Sequence, residues 1–122
     1  MVIENFYTFN IDSVEKDQIR ASVSFNQNNP VYKGHFPQVP VTPGVCQILV
    51  IKELLAGVLG TQLQLVKARE IKFLSMHNPV GSRPLDILIK YEMADAAVIG
   101  VNALISDNER KILKLNGEFK PK

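Results

Sequence analysis

Residues 34–60 read GHFPQVPVTPGVCQILVIKELLAGVLG, and the change of character inside this stretch decides the fold. Its opening holds Gly34, Pro37 and Pro40, with Pro30 just ahead. Such a segment is stiff and irregular rather than floppy, and a stiff loop can hold a side chain still. Thr42-Pro43 then reads as a helix start, with a hydroxyl at the N-cap and a proline at the first helical position. From Val45 to Leu59 the apolar residues surround nearly the whole helix instead of forming one stripe. A helix apolar all round must be buried on most sides, so the rest of a 122-residue chain has to wrap around it. Gly60 is the expected stop.

Outward from the helix the pattern is that of strands. Phe6 to Val14 and Ile19 to Phe25 alternate apolar and polar positions at period two, with a short turn at Glu15-Lys16-Asp17-Gln18. Asn26-Gln27-Asn28-Asn29-Pro30 breaks the sheet, because amides and proline favour turns over ladders. Beyond the helix, alternation predicts strands over Gln62–Phe73, Leu85–Glu92, Ala97–Ile105 and Lys111–Phe119. Turns are expected at His77–Ser82, with His77 exposed, and at Ser106–Glu109. No repeat, low-complexity tract or linker interrupts the order. The economical solution is an α+β domain spanning residues 1–122, a curved antiparallel sheet of about six strands wrapped around one long buried helix.

Composition narrows the function. With 46% hydrophobic and 21% charged residues the chain can build a core, which excludes disorder. A formal charge of +2 without a basic stripe argues against nucleic-acid binding and is compatible with docking an acidic partner. No apolar run is long enough for a membrane span, and the first residues lack the basic-then-apolar pattern of a secretory signal. Cys46 is the only cysteine, so no intrachain disulfide can form and a cytoplasmic setting is expected. Two histidines far apart in sequence, without clustered acids or thiols, predict no metal site.

The stretch Gly34-His35-Phe36-Pro37 continuing through Pro40 to Pro43-Gly44-Val45 resembles the loop-to-helix motif of the hot-dog-fold β-hydroxyacyl-acyl-carrier-protein dehydratases, close to GHFPxxPxxPGV. Asn29-Pro30 upstream, and Ile71 to Ser75 followed by Pro79-Val80-Gly81 downstream, extend the likeness over nearly the whole domain. The resemblance implies a hot-dog fold, the helix as the sausage and the sheet as the bun. It also implies a homodimer or higher oligomer with the site at the dimer interface, His35 of one subunit facing the helix of the other. One position departs from the pattern. Where the family carries Glu or Asp on the helix, this chain has Leu49, and one turn further on, where the family often has Gln, it has Glu53.

Chemistry gives each residue a role and a rival reading. Removing a proton α to a thioester calls for a base that titrates near neutrality, which suits His35; a structural loop histidine is the alternative. The N–H of Gly44, with Val45 beside it at the helix start, is placed to hold the thioester oxygen; glycine that merely permits a tight turn is compatible with that. Phe36, Pro37 and Leu49 would line the substrate. Glu53 either supplies the displaced acid or points into an interface near the helix end. Gln47 is expected to hydrogen-bond within the core, and Cys46 to fill space. The activity the resemblance implies is dehydration of a 3-hydroxyacyl thioester on acyl carrier protein or CoA to a trans-2-enoyl thioester, in fatty-acid or related acyl-chain biosynthesis, with no metal or redox cofactor. Two rivals share the fold: an acyl thioesterase, and a non-catalytic acyl-thioester-binding subunit or heterodimer partner lacking the acid.

Overall fold

The computed structural model describes residues 5–33, 40–81, 83–94 and 97–122. Along the chain come β1 (Tyr7–Val14), β2 (Gln18–Phe25), a 3-10 turn (Pro30–Tyr32), α1 (Gly44–Leu59), β3 (Leu63–Phe73), β4 (Leu85–Met93), β5 (Ile99–Asp107) and β6 (Arg110–Pro121). The strands form one antiparallel sheet in the order β1-β2-β4-β5-β6-β3. This is the α+β, hot-dog architecture expected from the sequence. β2 and β3 stand near opposite edges, so the segment joining them must cross the sheet. α1 makes that crossing, and this is why it lies on the sheet's face.

Alternation becomes register. Ile19, Ile89, Ala103 and Leu115 pair in turn across β2, β4, β5 and β6, and Ala21, Ile87, Ile105 and Leu113 form the next helix-facing row. These rows are buried with Val50, Ile51, Leu54 and Leu55 of α1 in one core cluster. Gln18, Lys90, Asn102 and Asn116 pair on the opposite face, as the period of two requires. The sheet covers one side of α1. The row Val45, Ile48, Lys52 and Ala56, spaced for one helical face, is left less covered, with Val45 64% exposed.

The predicted elements agree with the structure to within about two residues at their ends, but the cap of the helix differs. Pro43, not Thr42, is the N-cap, the first helical residue is Gly44, and no side chain caps the helix. Thr42 fails as a cap because its hydroxyl is engaged elsewhere, by Tyr32 and His77. At the other end Gly60 stops the helix in the left-handed region, φ 72°, its N–H donating to the Ala56 carbonyl. One irregularity could not be read from alternation. β6 shifts register around Ile112, between the pairs Ile105–Leu113 and Ser106–Lys111. The Ile112 carbonyl is thereby presented to the N–H groups of Leu74 and Ser75, at 2.8 and 3.4 Å, and fixes the chain as it leaves β3. No helix among the described residues is long and apolar enough to cross a membrane.

Candidate active site

The N-terminus of α1 is built to present donors. The N–H groups of Cys46 and Gln47 both reach the Pro43 carbonyl, at 3.0 and 3.3 Å. Those of Gly44 and Val45 find no acceptor among the described residues, as expected for the first residues of a helix. With the helix dipole behind them they favour a negatively polarised oxygen. The Phe73 ring, at the end of β3 and 56% exposed, lies directly against Gly44, where an added Cβ would come within 2.6 Å of its Cζ atom. Glycine at this position therefore has a packing reason beside the chemical one. After Phe73 the chain continues with exposed apolar side chains at Leu74, Met76 and Val80.

Behind the helix start sits a buried polar network. The Tyr32 hydroxyl is 2.9 Å from Thr42 Oγ1, which is 2.7 Å from His77 Nδ1. The Thr42 N–H donates to the His77 carbonyl at 2.8 Å, and Gln47 Nε2 donates to the Thr42 carbonyl at 3.3 Å. His77 is only 2% exposed, which corrects the surface position expected from its turn-rich neighbours. Its ring packs on Phe25, with centroids 5.6 Å apart. Burial lowers its pKa, the Asp107 charge opposes that shift and the Arg110 charge adds to it. The ring is therefore neutral near neutral pH. Burial likewise pushes the Tyr32 hydroxyl up to about 12, against the Thr42 hydrogen bond that lowers it, so it stays protonated. These partners are far apart in sequence, and no local pattern marked them.

The remaining candidates lie along α1. Glu53 is half-buried near the Tyr7 hydroxyl of β1. Burial first, and then Glu53, push that hydroxyl well above the ordinary phenol range. Among the described residues the hydroxyl is enclosed without a hydrogen bond of normal geometry, so Glu53 is a close neighbour and not a formed partner. Leu49 is buried, 7% exposed, yet belongs to neither core cluster. Cys46 fills space between Phe6 and Tyr32, as expected, and burial raises its thiol pKa. Gln47 meets its expectation in part: its amide N–H is used, while Oε1 is buried without a donor among the described residues.

His35, Phe36 and Pro37 lie outside the described residues. Gly44 and Val45 stand at the helix start, and Leu49 and Glu53 follow on one flank, Glu53 about 13 Å of helix rise from Gly44. No cluster of three or more His, Cys, Asp or Glu suited to a metal occurs among the described residues. A depression of about 560 Å³ lies on the sheet face turned away from α1, lined by Lys90, Glu92, Asn102, Asn116 and Glu118 among others. Its mixed charges and distance from the helix start set it apart from this site.

Comparison with known proteins points the same way. A profile of the ApeI-like family, described as ApeI dehydratase, matches residues 11–99. An uncharacterized thioester dehydrase of Halalkalibacterium halodurans is 27% identical over 110 residues, which cover 82% of this chain and 69% of that protein. Among solved structures, the dehydratase heterocomplex ApeI:P from Xenorhabdus doucetiae superposes with a TM-score of 0.72 at 14% identity, covering 91% of this chain and 94% of that one. An uncharacterized protein from Erwinia carotovora subsp. atroseptica gives 0.63 at 18% identity, over 100% and 97% of the two chains.

Proposed function

The chain belongs to the ApeI-like dehydratase family, and from that premise we propose that it dehydrates 3-hydroxyacyl thioesters carried on acyl carrier protein or CoA. The observation that carries the reading is the pair of unaccepted N–H groups at Gly44 and Val45, at a helix start preceded in sequence by the His35 motif. In this scheme the thioester oxygen sits on the Gly44 N–H, and His35 removes the α proton. The electron pair moves into the C2–C3 bond as the 3-hydroxyl leaves with a proton from Glu53 or a bound water, giving a trans-2-enoyl thioester and water. Phe36, Pro37 and Leu49 line the acyl group. One cytoplasmic domain, residues 1–122, works as a homodimer whose sites are shared between subunits.

A second reading is favoured by one observation, the apolar Leu49 where the resemblance calls for an acid. Under it the chain binds acyl thioesters and relies on a different subunit for the acid. The similarity to one component of a dehydratase heterocomplex supports this alternative.

Incubation with 3-hydroxyacyl and saturated acyl thioesters separates the possibilities: enoyl product marks a dehydratase, free thiol a thioesterase, and neither a binder. With enoyl product, His35→Ala is expected to abolish turnover while leaving the protein folded. The wild-type rate is expected to fall as pH drops through the imidazole range, about 6.5 for an unperturbed ring. A fully active His35→Ala variant rules out His35 as the base.

A further inference from the structure

The segment that carries His35 is tied at both of its ends to one buried group. Tyr32 precedes it and Thr42 follows it, and their hydroxyls are 2.9 Å apart. That hydrogen bond joins the two residues that flank positions 33–41. The closing atom is itself held from a third direction, because Thr42 Oγ1 is 2.7 Å from His77 Nδ1 and the Thr42 N–H donates to the His77 carbonyl. His77 comes from the β3–β4 connection, whose start is fixed by the Ile112 carbonyl of β6. All three side chains are at least nine-tenths buried, so water does not compete for these bonds.

Thr42 Oγ1 is the central atom of this chain, and a hydroxyl can donate one of its two bonds while accepting the other. We propose that Tyr32, Thr42 and His77 are positioning residues: together they anchor the residues that flank the base-carrying segment to the start of α1, and so serve the proton transfer assigned to His35. This rests on the dehydratase reading, since it is the reaction that gives the anchoring its consequence. Misplacing a base by a fraction of a bond length slows a proton transfer without weakening substrate binding.

Tyr32→Phe removes one hydroxyl, Thr42→Val removes the central atom of the chain, and Thr42→Ser keeps it. We expect the first two to lower kcat about 10-fold or more with KM changed by less than about 2-fold, and Thr42→Ser to restore the rate. Amide hydrogen exchange is measured alongside. In Tyr32→Phe and Thr42→Val it is expected to quicken at the hydrogen-bonded amides of Tyr32, Lys33 and Thr42 and to stay unchanged in β4, β5 and β6, with Thr42→Ser again resembling wild type. Exchange at these amides that stays at the wild-type level in both variants overturns the tie, whatever the activity. Quickened exchange with kcat unchanged overturns the positioning role. A wild-type protein with no dehydratase turnover refutes the proposed function and, with it, the catalytic consequence of the tie; the exchange measurement still decides whether the tie exists.

Discussion

At the scale of single residues, Gly44 and Glu53 each have two explanations that substitution can separate. The atoms nearest to a Cβ added at Gly44 all belong to the rim of the half-exposed Phe73 ring, which would have to swing aside. Its φ is not positive, so alanine fits the backbone. Gly44→Ala is therefore expected to lower stability by about 1 kcal/mol, measured by thermal unfolding. If the thioester lies against the Gly44 N–H, the new methyl obstructs it and turnover drops sharply; preserved turnover leaves packing as the sole reason for glycine. Glu53 shares its helix face with Leu49, about 6 Å of rise away. With a relocated acid, Glu53→Gln costs about 100-fold in kcat with little change in binding. With a lost acid that change is nearly silent, and Leu49→Glu raises a low rate instead. Leu49→Glu places a charge at a buried position, so folding is followed in the same preparations.

Elements show which parts of this fold were legible. The strands were, because each buries one face and leaves the other in water, so burial writes itself into the sequence at period two. α1 was legible from its length and its apolar run. The N-cap was misplaced because local chemistry nominated Thr42, while its hydroxyl is claimed by Tyr32 and by His77 across the molecule. His77 was misread for the same reason: its neighbours spell a surface turn, but Phe25 and Thr42 draw the ring inside. The proximity of Tyr7 to Glu53 also depends on strand placement, which no local motif encodes. The buried His77 predicts a pH dependence of stability. Its folded pKa lies below the unfolded value of about 6.5, so between the two the unfolded chain binds more protons. Stability is then full above about pH 6.5 and declines as pH falls toward the lowered folded value. Asp107 and Arg110, the charges that act on the ring in opposite senses, both remain in His77→Asn, which keeps an acceptor near the Nδ1 position. Chemical denaturation from pH 7.5 to 5 is expected to show a shallower loss in that variant than in wild type. Equal slopes would assign the acid sensitivity to other groups.

For the whole molecule, the surface left open is the helix face turned away from the sheet. α1 leaves Val45, Ile48, Lys52 and Ala56 less covered than the rest of the helix, and Val66, Phe73, Leu74, Met76 and Val80 add exposed apolar surface along and after β3. Among the described residues β3 pairs only with β6, so its other edge presents ladder groups without a strand there to receive them. The opposite edge, β1, also exposes Phe9, Ile11 and Val14. Yet only β3 runs directly into the Phe73 ring that rests on Gly44. Pairing through the Ala68–Phe73 end of β3 would bury the apolar run and bring two helix starts toward one interface, as a shared site requires. Light scattering at micromolar concentration is expected to give twice the 13.6 kDa of one chain. Phe73→Glu and Val66→Glu place a carboxylate at positions exposed in the single chain, so each subunit should still fold. In a dimer joined at β3 the same charges are removed from water without a partner, and the assembly should dissociate. Ile11→Glu on β1 is expected to leave it intact. If Ile11→Glu alone yields monomers, the dimer is built on the other edge, and a wild-type monomer removes the basis for a site shared between subunits.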